Sequence, residues 1–265
     1  MPTITTSDGV RLNHTDEGAG TPIVLIAGFC APLESWELQR RALAAAGYRV
    51  IGLDRRSHGS SESPSYGQRL SRHGADVHEL LTTLDLSDVV LVGGSMGGST
   101  IWAYYDLFGP ARLKAVVTID QTPKMVNDDS WPHGFYGLNA DNVGTFFDDG
   151  VPDTGRGRRG ERAAGIVRVV EALGYEPPFA DPRTPPLRAL LQNHAEADWL
   201  DVVARMAVPS LFIAGRDSQL WPAEHADAAA ALNPLARVVT LDDCGHAANL
   251  DRPEAVNDAI LEFLK

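Results

Sequence analysis

Apolar positions along the chain fall into two alternating patterns. Short continuous runs recur at Pro22–Ala27, Tyr48–Leu53, Val89–Val92, Lys114–Ile119, Pro209–Ala214 and Arg237–Leu241. Each has the length and β-branched content of a buried strand. Between them the period changes. Leu70 to Leu84 sets Val77, Leu80, Leu81 and Leu84 on one helical stripe, Trp36 to Ala46 reads as a helix stopped by Gly47, and Ser99 to Tyr105 runs toward the stop at Gly109-Pro110. A closing helix is expected from Pro253 to Leu264, with Asp251 as its cap and Val256, Ile260, Phe263 and Leu264 facing inward. Ile4–Thr6 and Val10–His14 flank Asp8-Gly9 as an opening hairpin. Eight strands alternating with helices predict an α/β fold with a doubly wound, mostly parallel sheet covered on both faces.

The alternation lapses over residues 121–206, which follow the sixth strand. This stretch is rich in Gly, Pro, Asp and Arg and carries Trp131, Phe135, Tyr136, Phe146, Phe147 and Trp199. Aromatic residues need something to bury against, so the stretch is read as an inserted helical cap, with helices near Ile166–Leu173 and Asp198–Met206. Residues 1–120 and 207–265 then form the core. The basic run from Arg156 to Arg162 lacks interleaved aromatics and reads as a solvated helix start.

Bulk properties narrow the partners. The 265 residues carry 35 acidic and 23 basic side chains, a net charge of −12, which disfavours nucleic acid or an anionic membrane. No apolar run approaches membrane-spanning length. Met1-Pro2-Thr3 leads into polar residues without a charged or apolar leader, and the only cysteines are Cys30 and Cys244; a cytoplasmic location with two buried thiols is expected. His73 and His78 are five apart, not the three or four of a helical metal pair, so both read as solvated positions and no metal site is predicted.

The chemistry begins at Gly93-Gly94-Ser95-Met96-Gly97-Gly98, between a strand and a helix. A serine on so sharp a turn needs neighbours without a Cβ, and Gly93 and Gly97 supply them. A phosphate-cradling loop is the rival reading, but no Lys follows as in a P-loop and no Gly-x-Gly-x-x-Gly fits. Two further polar residues follow later strands: Asp217 in Gly215-Arg216-Asp217, and His246 in Gly245-His246. The carboxyl ends of parallel strands converge on one edge, so Ser95, Asp217 and His246 can meet there as nucleophile, orienting acid and base. Asp120, one strand earlier, is the alternative acid; otherwise it holds the base of the cap or caps a turn.

These three motifs, with Asp54-Arg55-Arg56-Ser57-His58-Gly59-Ser60-Ser61 after the fourth strand, resemble the α/β-hydrolase fold over nearly the full chain. Within it the chain is most similar to small serine esterases grouped with cofactor-free haloperoxidases. The resemblance implies an acyl-enzyme route to hydrolysis of a carboxylic ester or lactone, with no cofactor and with backbone N–H groups of Phe29 and Met96 as the oxyanion hole. Relatives usually carry His-Gly where this chain has Ala27-Gly28, and perhydrolase-active relatives often have Pro near the position of Cys30. Cys30, Met125, Trp131 and Phe135 are expected to line an apolar substrate pocket. Perhydrolysis, carbon–carbon bond hydrolysis, a biosynthetic cyclisation and non-catalytic ligand binding stay open on the same triad.

Overall fold

The pleat of the central strands sorts their side chains into two cores. In the computed structural model, which describes residues 1–158 and 161–265, β1 (Thr3–Thr5) and β2 (Arg11–Glu17) form the opening hairpin, followed by β3 (Pro22–Ile26). Val24 and Ile26 of β3 face one core, and Ile23 and Leu25 face the other. Alternation of this kind requires cover on both faces of the sheet. After a single 3₁₀ turn (Leu33–Trp36), α1 (Glu37–Ala45) leads to β4 (Arg49–Leu53); α2 (Leu70–Thr83) precedes β5 (Val89–Gly94), and α3 (Met96–Phe108) precedes β6 (Leu113–Ile119).

From Ile119 to Ser210 the described chain contributes no strand to the sheet and carries α4 (Glu161–Leu173), α5 (Pro185–Glu196) and α6 (Leu200–Arg205). The sheet resumes with β7 (Ser210–Gly215), α7 (His225–Ala230) and β8 (Ala236–Leu241), and the chain closes on α8 (Ala248–Asp251) and α9 (Pro253–Phe263). Strand order is β1-β2-β4-β3-β5-β6-β7-β8, antiparallel at β1–β2 and β2–β4 and parallel from β4 through β8. Helices α2, α3, α6 and α7 cover one face through residues such as Leu80, Trp102, Val203 and Ala226. Leu43 of α1 with Val256 and Ile260 of α9 covers the other. Among the described residues no helix is long and apolar enough to cross a membrane.

Several local expectations are corrected. Helix α5, not among the expected helices, starts on Pro185-Pro186, a pair tolerated in a first turn, where the amide N–H has no helical partner. Its Leu187, Leu190, Leu191 and His194 are buried at the spacing of one helical face. Asp251 does not cap α9, which has Arg252 at that position; its carboxylate instead accepts from the Gly245 amide at 3.0 Å. His73, expected in solvent, is wholly buried. The basic stretch 156–162 includes residues 159 and 160, which lie outside the described residues.

Candidate active site

The register of the sheet decides which polar residues meet. Strands β5 and β6 pair Gly94 with Ile119, so Ser95 and Asp120 are the next residues on adjacent strands. The Ser95 amide also donates to the Ile119 carbonyl at 2.8 Å. Ser95 sits at φ 50°, ψ −129°, a backbone conformation that costs an L-residue energy and that the surroundings must impose. They do so by close approach. A Cβ on Gly93 would stand 2.5 Å from the Gly97 carbonyl carbon, and one on Gly97 would stand 2.1 Å from the Ile26 carbonyl oxygen.

His246 occupies the loop between β8 and α8. Its Nε2 lies 3.0 Å from Ser95 Oγ, and its Nδ1 lies 2.7 Å from Asp120 Oδ2. The Gln219 side-chain oxygen accepts the His246 backbone N–H at 2.9 Å, and the Trp221 ring meets the imidazole edge-on at 5.1 Å. With Nδ1–H bonded to a carboxylate, the Nε2 lone pair is directed at the serine hydroxyl.

The acid bonded to this histidine is therefore Asp120 and not Asp217. The β6–β7 register sets Ile119 against Ile213, which leaves Asp217 several residues further out along its loop. Asp217 is tied by its backbone: its amide donates to Cys244 O at 2.9 Å, and its carbonyl accepts from Arg158 N at 3.1 Å. The β7 loop serves Asp120 in another way. Gly215 N donates to Oδ1 at 3.0 Å and Ser218 Oγ to Oδ2 at 2.6 Å, with His225 Nε2 3.8 Å from Oδ1. Burial pushes the Asp120 carboxyl up, but the His225 and His246 rings outweigh it and hold the group at about 2. The signal in the sequence was an aspartate directly after the sixth strand run, where the alternation of elements stops, which made Asp120 the alternative acid.

Gly28, Phe29, Ser95 and Met96 border one cavity of about 300 Å³. A Cβ on Gly28 would lie 3.1 Å from Ser95 Cβ, so a residue without one lets the turn after β3 pass over the serine. That turn is held from behind by Arg55, which is buried and donates from Nε to Ala27 O at 3.2 Å and from Nη2 to Gly28 O at 2.9 Å. Its remaining partners are His58 Nε2 at 3.0 Å and His73 Nδ1 at 3.1 Å. Burial and the Arg55 charge push both imidazoles well below their ordinary value, so they are neutral acceptors. Burial lowers Arg55 itself to about 10, which leaves it protonated at neutral pH. Arg55 and His58 belong to the loop motif after the fourth strand, but the sequence assigned neither Arg55 nor His73 a part in the site.

Met125 and Phe135 line the cavity, together with Phe147, Leu191 and Trp221. Trp131 stands apart from it. Its indole N–H bonds Thr122 Oγ1 and the Lys124 carbonyl, both at 3.1 Å, in a core beneath. Cys30 lies in the apolar cluster behind the wall, at φ 62°, and both it and Cys244 are buried thiols. His194, on α5, was not anticipated. It borders the cavity with Nδ1 buried and without a hydrogen-bond partner among the described residues, and burial, with the Arg55 and His246 charges, depresses it to about 3.

Comparison with known proteins bears on the fold and the family. A model of the alpha/beta hydrolase family matches residues 23–259. The chain is 32% identical to a non-heme chloroperoxidase of Streptomyces lividans over 100% of both chains. A bromoperoxidase from Bacillus anthracis superimposes with a TM-score of 0.82 at 28% identity, covering 97% of this chain and 96% of that one. An esterase from Exiguobacterium antarcticum shares the fold, with a TM-score of 0.80 at 23% identity over 99% and 98% of the two chains. The chain belongs to the alpha/beta hydrolase family, near its haloperoxidase and esterase members.

Proposed function

We propose that this protein is a serine hydrolase that cleaves a carboxylic ester or lactone through an acyl-enzyme. The observation that carries the reading is the continuous relay from Ser95 Oγ through both His246 nitrogens to Asp120, at 3.0 and 2.7 Å. A serine hydroxyl is a weak nucleophile until a base takes its proton. In this reading Ser95 attacks the carbonyl carbon while His246 Nε2 accepts the proton, and Asp120 fixes the tautomer and stabilises the imidazolium. The Phe29 and Met96 amides hold the oxyanion. His246 returns the proton to the departing alcohol and then activates a water that releases the acid and restores Ser95.

The apolar wall of Met125, Phe135, Phe147 and Leu191 favours an acyl or aryl portion with little charge. The segment between β6 and β7 supplies most of that wall, which is the part of a cap. A small organic ester needs neither nucleic acid nor a membrane as partner, and the acyl-enzyme route requires no cofactor.

The named relatives favour one second reading. Hydrogen peroxide can replace water at the same acyl-enzyme: its oxygen bonds the acyl carbon, Ser95 leaves with the proton, and a peracid forms that can oxidise halide. The deciding experiment labels the wild type with a fluorophosphonate, then follows short p-nitrophenyl esters and lactones with and without peroxide. Labelling at Ser95 and turnover lost in Ser95→Ala and His246→Ala support the triad. A wild-type rate in either variant would refute it, and peracid formation outpacing hydrolysis would favour the second reading.

A further inference from the structure

We propose that Arg55 is a positioning residue for the oxyanion hole: its guanidinium, bonded to the Gly28 carbonyl, polarises the peptide whose other end is the Phe29 N–H. The inference rests on the reading of Ser95 and Phe29 given above, and it starts from one covalent fact. The Gly28 C=O and the Phe29 N–H belong to the same planar amide, whose resonance couples them. A cationic donor 2.9 Å from the oxygen draws electron density through that amide and makes its N–H the stronger donor.

Burial leaves the Arg55 charge weakly screened, and Cys30 and Asp76 both act on it from the surroundings. Its hydrogen-bond partners include two carbonyl oxygens and two imidazole nitrogens, and among the described residues no carboxylate is hydrogen-bonded to it. His58 accepts through Nε2 because its Nδ1 is held by the Arg56 carbonyl at 2.9 Å, which fixes the tautomer. Asp76, whose charge reaches Arg55, is already bound by Arg56 at 2.6 and 2.7 Å and by Arg72 at 2.7 Å. A buried ion is usually paired with its opposite, and the missing carboxylate has a chemical consequence here. A fixed positive charge stands directly behind the turn where negative charge develops in the transition state, in a medium of low dielectric. The second bond, to Ala27 O at 3.2 Å, fastens the residue that replaces the family's usual histidine.

The test separates field from scaffold. A trifluoromethyl ketone adds to Ser95, forming the Oγ–carbon bond while the carbonyl pair moves to oxygen and the proton to His246, so its affinity reports the oxyanion site. For Arg55→Gln, kcat on p-nitrophenyl acetate is expected to fall about tenfold with KM changed by no more than about twofold, and ketone affinity to fall in parallel. Arg55→Lys keeps the charge and is expected to lose less. His73→Asp leaves Arg55 in place but sets a carboxylate against Nη1, and is expected to lower kcat and ketone affinity together, more than His73→Asn does. It carries the test if Arg55→Gln does not fold. Ketone affinity unchanged in Arg55→Gln, or in His73→Asp where that variant decides, overturns the role of Arg55. A wild type that a fluorophosphonate does not label at Ser95 overturns the underlying reading instead.

Discussion

Asp120 Oδ2 lies 2.7 Å from His246 Nδ1 and is the same oxygen that accepts the Ser218 hydroxyl at 2.6 Å. The β7 loop, where an acid at Asp217 was expected, therefore braces the acid of the neighbouring strand. If the relay is catalytic, the two aspartates separate cleanly in kinetics. Asp120→Asn is expected to lower kcat about ten-thousandfold by losing the carboxylate that fixes the histidine tautomer, while Asp217→Asn stays within about threefold of wild type. Ester hydrolysis by the two purified variants, with circular dichroism as a folding control, checks this; equal losses would contradict the assignment.

The same carboxylate gives stability a definite dependence on pH. Its folded value of about 2 is depressed from 3.8, so the folded state binds this proton less readily than the unfolded chain. The contribution is full above 3.8 and is lost as pH falls toward about 2. Denaturant titrations of wild type and Asp120→Asn should show a wild-type advantage at neutral pH that shrinks through this window. An advantage that grows on acidification would show that the partners around Asp120 do not favour its charged form.

Ser218→Ala removes one of the donors while leaving the relay in place. With Gly215 N and His246 still bonded to Asp120, kcat is expected to fall by about tenfold or less, the consequence of losing one hydrogen bond to a charged group. Steady-state rates at saturating ester measure it, and a loss as large as that of Asp120→Asn would mean that the hydroxyl itself is indispensable.

Much of the fold is legible in the chain because buried parallel strands need continuous apolar runs, and Val89–Val92 or Pro209–Ala214 can be little else. The elbow is legible for a similar reason: only glycine fits at Gly93 and Gly97, whose Cβ positions run into backbone. The acid is not, since its choice depends on strand register. Asp120 and Asp217 both follow strands in sequence, and only the pairing of Gly94 with Ile119 sets Asp120 beside Ser95. Arg55 and His73 were hidden for another reason. Charged and titratable residues look like surface, and their burial depends on partners that come together only on folding, here Ala27 O, Gly28 O and His58. Helix α5 was obscured by its two prolines, although its buried leucines keep a helical period.

The elbow also sets a stability prediction. In Gly97→Ala the new methyl would meet the Ile26 carbonyl oxygen, which is backbone and cannot swing aside as a side-chain end could. The strand or the helix start must shift, at a cost of about 3 kcal/mol. Urea unfolding midpoints for the variant and wild type measure it, and a loss below about 0.5 kcal/mol would show that the elbow relaxes freely.

His194 supports the opposite expectation. Its buried Nδ1 has no hydrogen-bond partner among the described residues, and the ring is held neutral beside Met125, Phe135 and Leu191 along the cavity wall. An orphaned polar atom costs free energy that an apolar side chain of similar size does not incur. His194→Leu is therefore expected to leave stability unchanged or raise it by about 1 kcal/mol. In the proposed ester hydrolase the wall becomes wholly apolar there, so kcat/KM should shift toward plain alkyl acyl groups and away from acyl groups with a hydrogen-bonding substituent. Denaturation curves and a paired ester series check the two halves separately. A variant that is less stable and unchanged in preference would mean that the ring nitrogen serves packing and does not face the substrate.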